Sequence, residues 1–287
     1  MISNISTPAV PSASELLEFD TLGENHFRAR HNLDNLAGMT FGGQALGQAL
    51  AAATRTVADW HCHSLSGLFI RRGIINEPID YRVERLSDSR KFATRRVSAE
   101  QRGRTIFEML CSFHEGEEGV RHEFTDMGNP PPPESLQNLQ AFSEANRHRL
   151  PGVVVDILAK PYLFELRLLE PDLYFDNPTE AKRDFWFRTP SAQGIKDERS
   201  HHALLALMSD YWLPGTVAVP HGREIGMRLL ASLNHTLRIH APVKVDEWLL
   251  YRTDSHWANN GRGLVEGKIF TQAGQLVASV SQEAVLR

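Results

Sequence analysis

The feature that most constrains this chain is an internal repeat. An apolar helix followed by an antiparallel run of strands is written twice, about 170 residues apart. In the first half, a short strand candidate at His26 to Arg30 precedes the glycine pair Gly42-Gly43 and an alanine-rich segment, Gln44 to Val57. Leu46, Leu50 and Ala53 recur at helical spacing there, and Ala, Leu and Gln favour helix. Strand candidates follow at Cys62 to Arg71, Pro78 to Leu86, Phe92 to Gln101 and Thr105 to Phe113, with Gly73, Asp88-Ser89 and Gly103 in the turns. The second half repeats the order: a strand at Arg183 to Arg188, a helix at about Glu198 to Leu213, then strands at Leu229 to His240, Glu247 to Asp254, Gly263 to Thr271 and Leu276 to Val285. Gly103 and Gly274, each preceding the last strand of its half, lie 171 positions apart, and Arg72 and Pro242 lie 170 apart. Two copies of one α+β unit follow, each with a sheet wrapped around one apolar helix. Edge-to-edge pairing of the two sheets would protect an edge of each.

Gly128-Asn129 and the four prolines Pro130 to Pro133 cannot sit inside a helix or a central strand. They divide the chain into an N-terminal unit (1–127), a proline-rich linker with a connecting helix (128–160) and a C-terminal unit (161–287). Residues 135 to 182 read as helix, irregular chain and an added strand.

Composition narrows the function. With 287 residues, 41% apolar content and 23% charge, the chain has the makeup of an ordinary globular protein. A net charge of -4 argues against nucleic acid as the main partner. No apolar run reaches the about eighteen residues that span a bilayer. The first twenty residues do not read as a secretory signal, nor the terminal Val-Leu-Arg as a peroxisomal address. Two cysteines, Cys62 and Cys111, make no disulfide framework. The expectation is a protein of a reducing cytoplasm.

Common catalytic signatures are missing. There is no Gly-x-Ser-x-Gly, no complete phosphate-binding loop at Gly267-Lys268-Ile269 and no His-Glu-x-x-His. His61-Cys62-His63 is a poor metal set on a strand, because alternation sends the cysteine away from the histidines. The informative residues are polar ones where the pattern predicts core. In the last strand, Leu276, Ala278, Val280 and Gln282 share a face, and the repeat puts Cys111 opposite Gln282. Asp210 lies at the flank of the stripe made by Leu204, Leu207, Met208 and Tyr211, near a helix C-terminus that disfavours negative charge. Alternation puts Ser232 on a face with Asn234 and Thr236, and the repeat pairs it with Cys62. Each also has a bland reading: a frayed strand end, a helix-ending aspartate in solvent, a solvated strand face. Together, a carboxylate, a hydroxyl and an amide suit the holding and deprotonation of one water for attack on an activated carbonyl. The Gly42-Gly43-Gln44 helix start offers free backbone N–H groups for an oxyanion, or simply close backbone packing.

These residues carry a resemblance. Phe41-Gly42-Gly43-Gln44 with Gly47-Gln48-Ala49-Leu50, then Ser209-Asp210, Leu213-Pro214, Pro220-His221-Gly222, Ser232-Leu233-Asn234-His235, Glu247-Trp248-Leu249-Leu250-Tyr251 and Ser281-Gln282-Glu283 resemble, in order and spacing, the acyl-CoA thioesterase II family of double-hotdog enzymes. The resemblance covers essentially the whole chain and is weakest from about 135 to 182. It implies a double hotdog, two tandem units each with a long central helix wrapped by an antiparallel sheet. It implies hydrolysis of fatty acyl-CoA to fatty acid and CoA, with no metal or organic cofactor and a homo-oligomer, dimer or tetramer. It places the family's aspartate on Asp210, its glutamine on Gln282 and its threonine on Ser232, which keeps the hydroxyl and loses a methyl. Asn234 stands where many members carry aspartate. Arg71-Arg72, Arg95-Arg96, Arg102 and Arg104 are candidates for the CoA phosphates, and Tyr211, Trp212 and Trp248 for an acyl tunnel, although solvated surface and plain core are the favoured readings. Two alternatives remain: an acyl-thioester hydratase or dehydratase using His235 or His240, and a non-catalytic acyl-CoA binder.

Overall fold

The computed structural model describes residues 10–34, 39–150, 152–171, 180–221 and 230–286. A one-turn helix, α1 (Ala13–Leu16), is closed by a capping box between Ser12 and Glu15. Strands β1 (Phe19–Gly23) and β2 (His26–Ala29) lead to helix α2 (Gly42–Thr54). The meander β3 (His61–Phe69), β4 (Asp80–Asp88), β5 (Phe92–Gln101) and β6 (Arg104–His114) completes the first unit. Along β6 the face formed by Phe107, Met109, Cys111 and Phe113 is buried throughout. Arg102 and Gly103 turn the chain between β5 and β6, both with positive φ (52° and 68°).

The proline stretch is extended to Pro132, enters a 3-10 turn at Pro133–Ser135, and leads to short helices α3 (Leu139–Ala145) and α4 (Gly152–Leu158) and the strand β7 (Glu165–Leu168). The second unit follows: β8 (Lys182–Arg188), α5 (Glu198–Ser209), the single turn α6 (Gly215–Ala218), β9 (Leu230–Ser232), β10 (Asn234–Ile239), β11 (Leu249–Asn259), β12 (Arg262–Thr271) and β13 (Leu276–Leu286).

Among the described residues all thirteen strands join one antiparallel sheet, in the order β1-β2-β4-β5-β6-β3-β10-β13-β12-β11-β8-β7, with β9 beside β13. The order is a palindrome about the β3–β10 seam: β3, β6, β5, β4, β2 on one side, and β10, β13, β12, β11, β8 on the other. Thr236 pairs with Ser66 across the seam, and their hydroxyls lie 3.1 Å apart. These residues are 170 positions apart, so the repeat's twofold axis passes between them. Helices α2 and α5 cross antiparallel inside the two curved halves. Gly43 and Gly47 make the crossing close: a Cβ on Gly47 would lie 2.6 Å from the Ala203 carbonyl oxygen and from Leu207 Cβ. The architecture is the expected α+β double hotdog.

Two expectations need correction. Helix α5 ends at Ser209, not Leu213. Asp210 caps it, Trp212 takes a left-handed φ of 64°, and Pro214 disfavours helix at the preceding residue. The strand expected from Leu229 to His240 is broken at Leu233, and Leu229 itself lies outside the described residues. Ser232 pairs with Ala284 while Thr236 pairs with Ser281, a one-residue slip that marks a bulge.

Candidate active site

The bulge decides where Ser232 points. Strict alternation would group Ser232 with Asn234 and Thr236. Instead Asn234 bonds the Glu283 side chain and Thr236 faces Ser66, whereas Ser232 Oγ donates to Asp210 Oδ1 at 2.8 Å. The slip turns Ser232 and His235 to the same side. The first unit has the same irregularity between Cys62 and Ser64, so the repeat correspondence of Cys62 with Ser232 survives. Cys62 pairs with Phe113 as Ser232 pairs with Ala284, 171 residues beyond Phe113.

Gln282, fully buried on β13, donates from Nε2 to Asp210 Oδ1 (2.8 Å) and to Ser232 Oγ (2.6 Å). Its carbonyl oxygen meets His235 Nδ1 at 2.6 Å. That oxygen can only accept, so Nδ1 carries the proton and the amide orientation follows. His235 Nε2 lies 2.9 Å from Ser209 Oγ, and Tyr251 Oη donates to the Ser209 carbonyl at 2.8 Å. Burial lowers the His235 pKa, against the pull of Asp210, whose Oδ1 lies 4.0 Å away. Burial also raises the Tyr251 hydroxyl well above its usual value, so it remains a donor. His235, Ser209 and Tyr251 thus orient the amide and the helix end that carries Asp210. The sequence held one sign of this, a histidine three positions after the serine, but alternation placed it on the opposite face.

The other wall belongs to the first unit. A Cβ on Gly42 would lie 3.0 Å from Asp210 Oδ2. The α2 N-terminus therefore abuts the carboxylate, and its dipole favours negative charge there. Gln44 contributes differently from the expectation. Its N–H bonds the Phe41 carbonyl, and its buried side chain ties the Leu33 N–H, the His31 carbonyl, Asn32 and Gln48 together. Gly43 faces Leu207 and the Phe41 ring, a packing position.

Several peripheral expectations fail. Arg95 is not a surface cation: it is buried, bonding Thr56 Oγ1 at 2.8 Å and Asp88 at 2.5 Å. Arg96 and Arg102 are paired with Glu84 and Glu77. Arg71, Arg72 and Arg104 are exposed. Trp248 packs with Trp186, Leu250 and Phe270 in a separate cluster, between the guanidinium groups of Arg188 and Arg167. Tyr211 does stand near the site, edge-on to Phe41, Tyr162 and Phe164, with Trp212 stacked on it. Burial holds the Cys62 thiol up at about 12 and raises Cys111 as well, so neither is a ready nucleophile.

A carboxylate, a hydroxyl and an amide at the junction of two fused hotdog units define a double-hotdog protein with a polar site at one end of its helix pair. Residues 30–114 match the family model described as the acyl-CoA thioesterase N-terminal domain, and residues 128–286 the acyl-CoA thioesterase C-terminal domain. The chain is 35% identical to human acyl-coenzyme A thioesterase 8, over 95% of this chain and 88% of that protein. It is 33% identical to acyl-CoA thioesterase 2 of Haemophilus influenzae, over 86% of this chain and 87% of that one. A crystal structure of an acyl-CoA thioesterase II from Mycobacterium marinum superposes with a TM-score of 0.77 at 36% identity, covering 96% of both chains. The chain belongs to the acyl-CoA thioesterase II family.

Proposed function

We propose that this protein hydrolyses fatty acyl-CoA to fatty acid and CoA, by direct attack of a water held by Asp210, Ser232 and Gln282. The reading rests chiefly on one observation: Asp210 Oδ1 receives both Ser232 Oγ and Gln282 Nε2 at 2.8 Å. A water entering this triangle meets a carboxylate to accept its proton and two polar groups to position its oxygen, leaving a lone pair free to attack. As the new C–O bond forms, negative charge moves to the thioester oxygen. The N–H groups of Gly42 and Gly43 at the α2 N-terminus are the donors proposed for it. Collapse breaks the C–S bond, and the proton held by Asp210 passes to the CoA thiolate.

Hydration chemistry fits less well. His235 is buried with both ring nitrogens engaged, and His240 bonds Ser279 Oγ. We further propose that the protein works in the cytoplasm, consistent with its two free cysteines, and as a dimer or tetramer. Leu68 and Leu110, diagonal neighbours on β3 and β6, are 58% and 51% exposed, an apolar surface that a second copy would cover.

The test follows free-thiol release from a short, a medium and a long acyl-CoA. Asp210→Asn is expected to lower kcat by about a hundredfold or more in a folded protein. No turnover by the wild type on any chain length overturns the hydrolase. Equal turnover in both proteins overturns the assignment of the base.

A further inference from the structure

The helix pair has a second end. The repeat's twofold carries the α2 N-terminus onto the α5 N-terminus and Ser232 onto Cys62. At this end, however, the residue preceding Cys62 is the one that faces the partner helix. His61 Nδ1 lies 3.7 Å from Glu198 Oε1, and His202 Nε2 lies 3.5 Å from the same oxygen. The three ligand atoms all fall within 4.8 Å of one another. His202 is 96% buried, yet neither of its ring nitrogens has a hydrogen-bond partner, and His61 Nδ1 has none either. Orphaned buried nitrogens of this kind are uncommon and costly.

We propose that His61, Glu198 and His202 bind a divalent transition-metal ion of the Zn2+ class, joining the first unit to the second. Two imidazoles and one carboxylate form a nitrogen-rich set that suits Zn2+ and not the all-oxygen sites of Mg2+ or Ca2+. Tetrahedral Zn2+ with ligands at about 2.0–2.1 Å puts neighbouring donors roughly 3.3 Å apart, so the two histidine–glutamate spacings close by a few tenths of an ångström, while the two histidine nitrogens lie within 4.8 Å. Glu198 and His202 are one helical turn apart on α5, which supplies two ligands from one face. His61 comes from the start of β3. His61 and Glu198 are partly exposed, leaving an entry path and an open fourth position. Asp197 caps the same helix and adds negative charge nearby. Along α5, His202 and Glu198 lie about 12 and 18 Å from Asp210, so the cluster's role is to clamp the two units.

A second cluster, Asp254, His256 and Glu266, supplies a control. It is more exposed, and His256 already pairs with Asp254 at 2.9 Å.

Untagged full-length protein, stripped with a chelator, is titrated with ZnCl2 by calorimetry and with Co2+ by visible absorption. The expected result is one equivalent per chain, a higher Tm on loading and the intense d–d bands of four-coordinate Co2+. Glu198→Gln and His61→Ala, both at partly exposed positions, each weaken binding by about tenfold or more with an unchanged far-ultraviolet spectrum. His256→Ala binds as the wild type does. Absence of binding by the wild type, or equal binding by wild type, Glu198→Gln and His61→Ala, overturns the site. Free-thiol release is expected to persist in the stripped protein, so failure of the metal site is distinguishable from failure of the hydrolase reading.

Discussion

The resemblance places the family's threonine at Ser232, whose hydroxyl reaches Asp210 at 2.8 Å. The lost methyl leaves χ1 freer but removes no polar contact. Ser232→Thr should therefore keep kcat within about threefold, while Ser232→Ala loses a donor to Asp210 and an acceptor for Gln282 and should lower kcat by about ten- to a hundredfold. Steady-state kinetics on one acyl-CoA decides both. Gly42 shows the reverse logic, a residue whose value is an absent atom. Gly42→Ala would press a methyl against Asp210 Oδ2 and the Phe69 ring, each 3.0 Å away. A fall in kcat of about tenfold or more with little change in Tm is expected; unchanged kinetics would show that the α2 N-terminus takes no part. The resemblance singled out Asp210, Ser232 and Gln282, and the three side chains do meet. The orientation of Ser232 was not legible in the sequence, because a one-residue bulge reverses which face a strand residue occupies.

At the scale of elements, the crossing of α2 and α5 sets the distance between the glycine turn and Asp210. Gly47 sits in that crossing, away from the chemistry. Gly47→Ala gains helix propensity but forces a Cβ against the Ala203 carbonyl and Leu207. Overpacking should win, lowering stability by about 1–3 kcal/mol in chemical denaturation. A stability gain would mean that the helices separate without cost. Both helices and most strands were legible from periodicity, since Phe107, Met109, Cys111 and Phe113 do face one core. The ends were less so. The stripe of α5 continues through Tyr211 and Leu213, but the left-handed Trp212 and Pro214 stop the helix at Ser209. Arg95 was read with Arg96 as a candidate for the CoA phosphates or as solvated surface; only the fold shows Thr56 and Asp88 enclosing it.

For the whole molecule, one sheet runs across both units, so the buried groups at the seam affect overall stability. His235 is buried and neutral, with Asp210, Gln282 and Ser209 around it and Tyr251 behind. Burial depresses its folded pKa below the ordinary 6.5. As pH falls through the unfolded value, the unfolded chain binds a proton that the folded chain refuses, so stability declines from about pH 6.5 downward and is flat above it. Thermal melts from pH 8 to pH 5 should show this slope, and His235→Gln should flatten part of it. An identical slope in the variant would remove His235 as its source.

The sequence by itself determined the repeat and the apolar faces. Those follow from periodicity and spacing, which are local. Tertiary structure decided which side of its strand Ser232 occupies, that Gly42 of one unit abuts Asp210 of the other, and that His61 meets Glu198 and His202. Each depends on two segments more than a hundred residues apart, or on a strand's register against its neighbour. A one-residue slip leaves hydrophobic spacing almost unchanged and yet redirects the Ser232 hydroxyl toward Asp210.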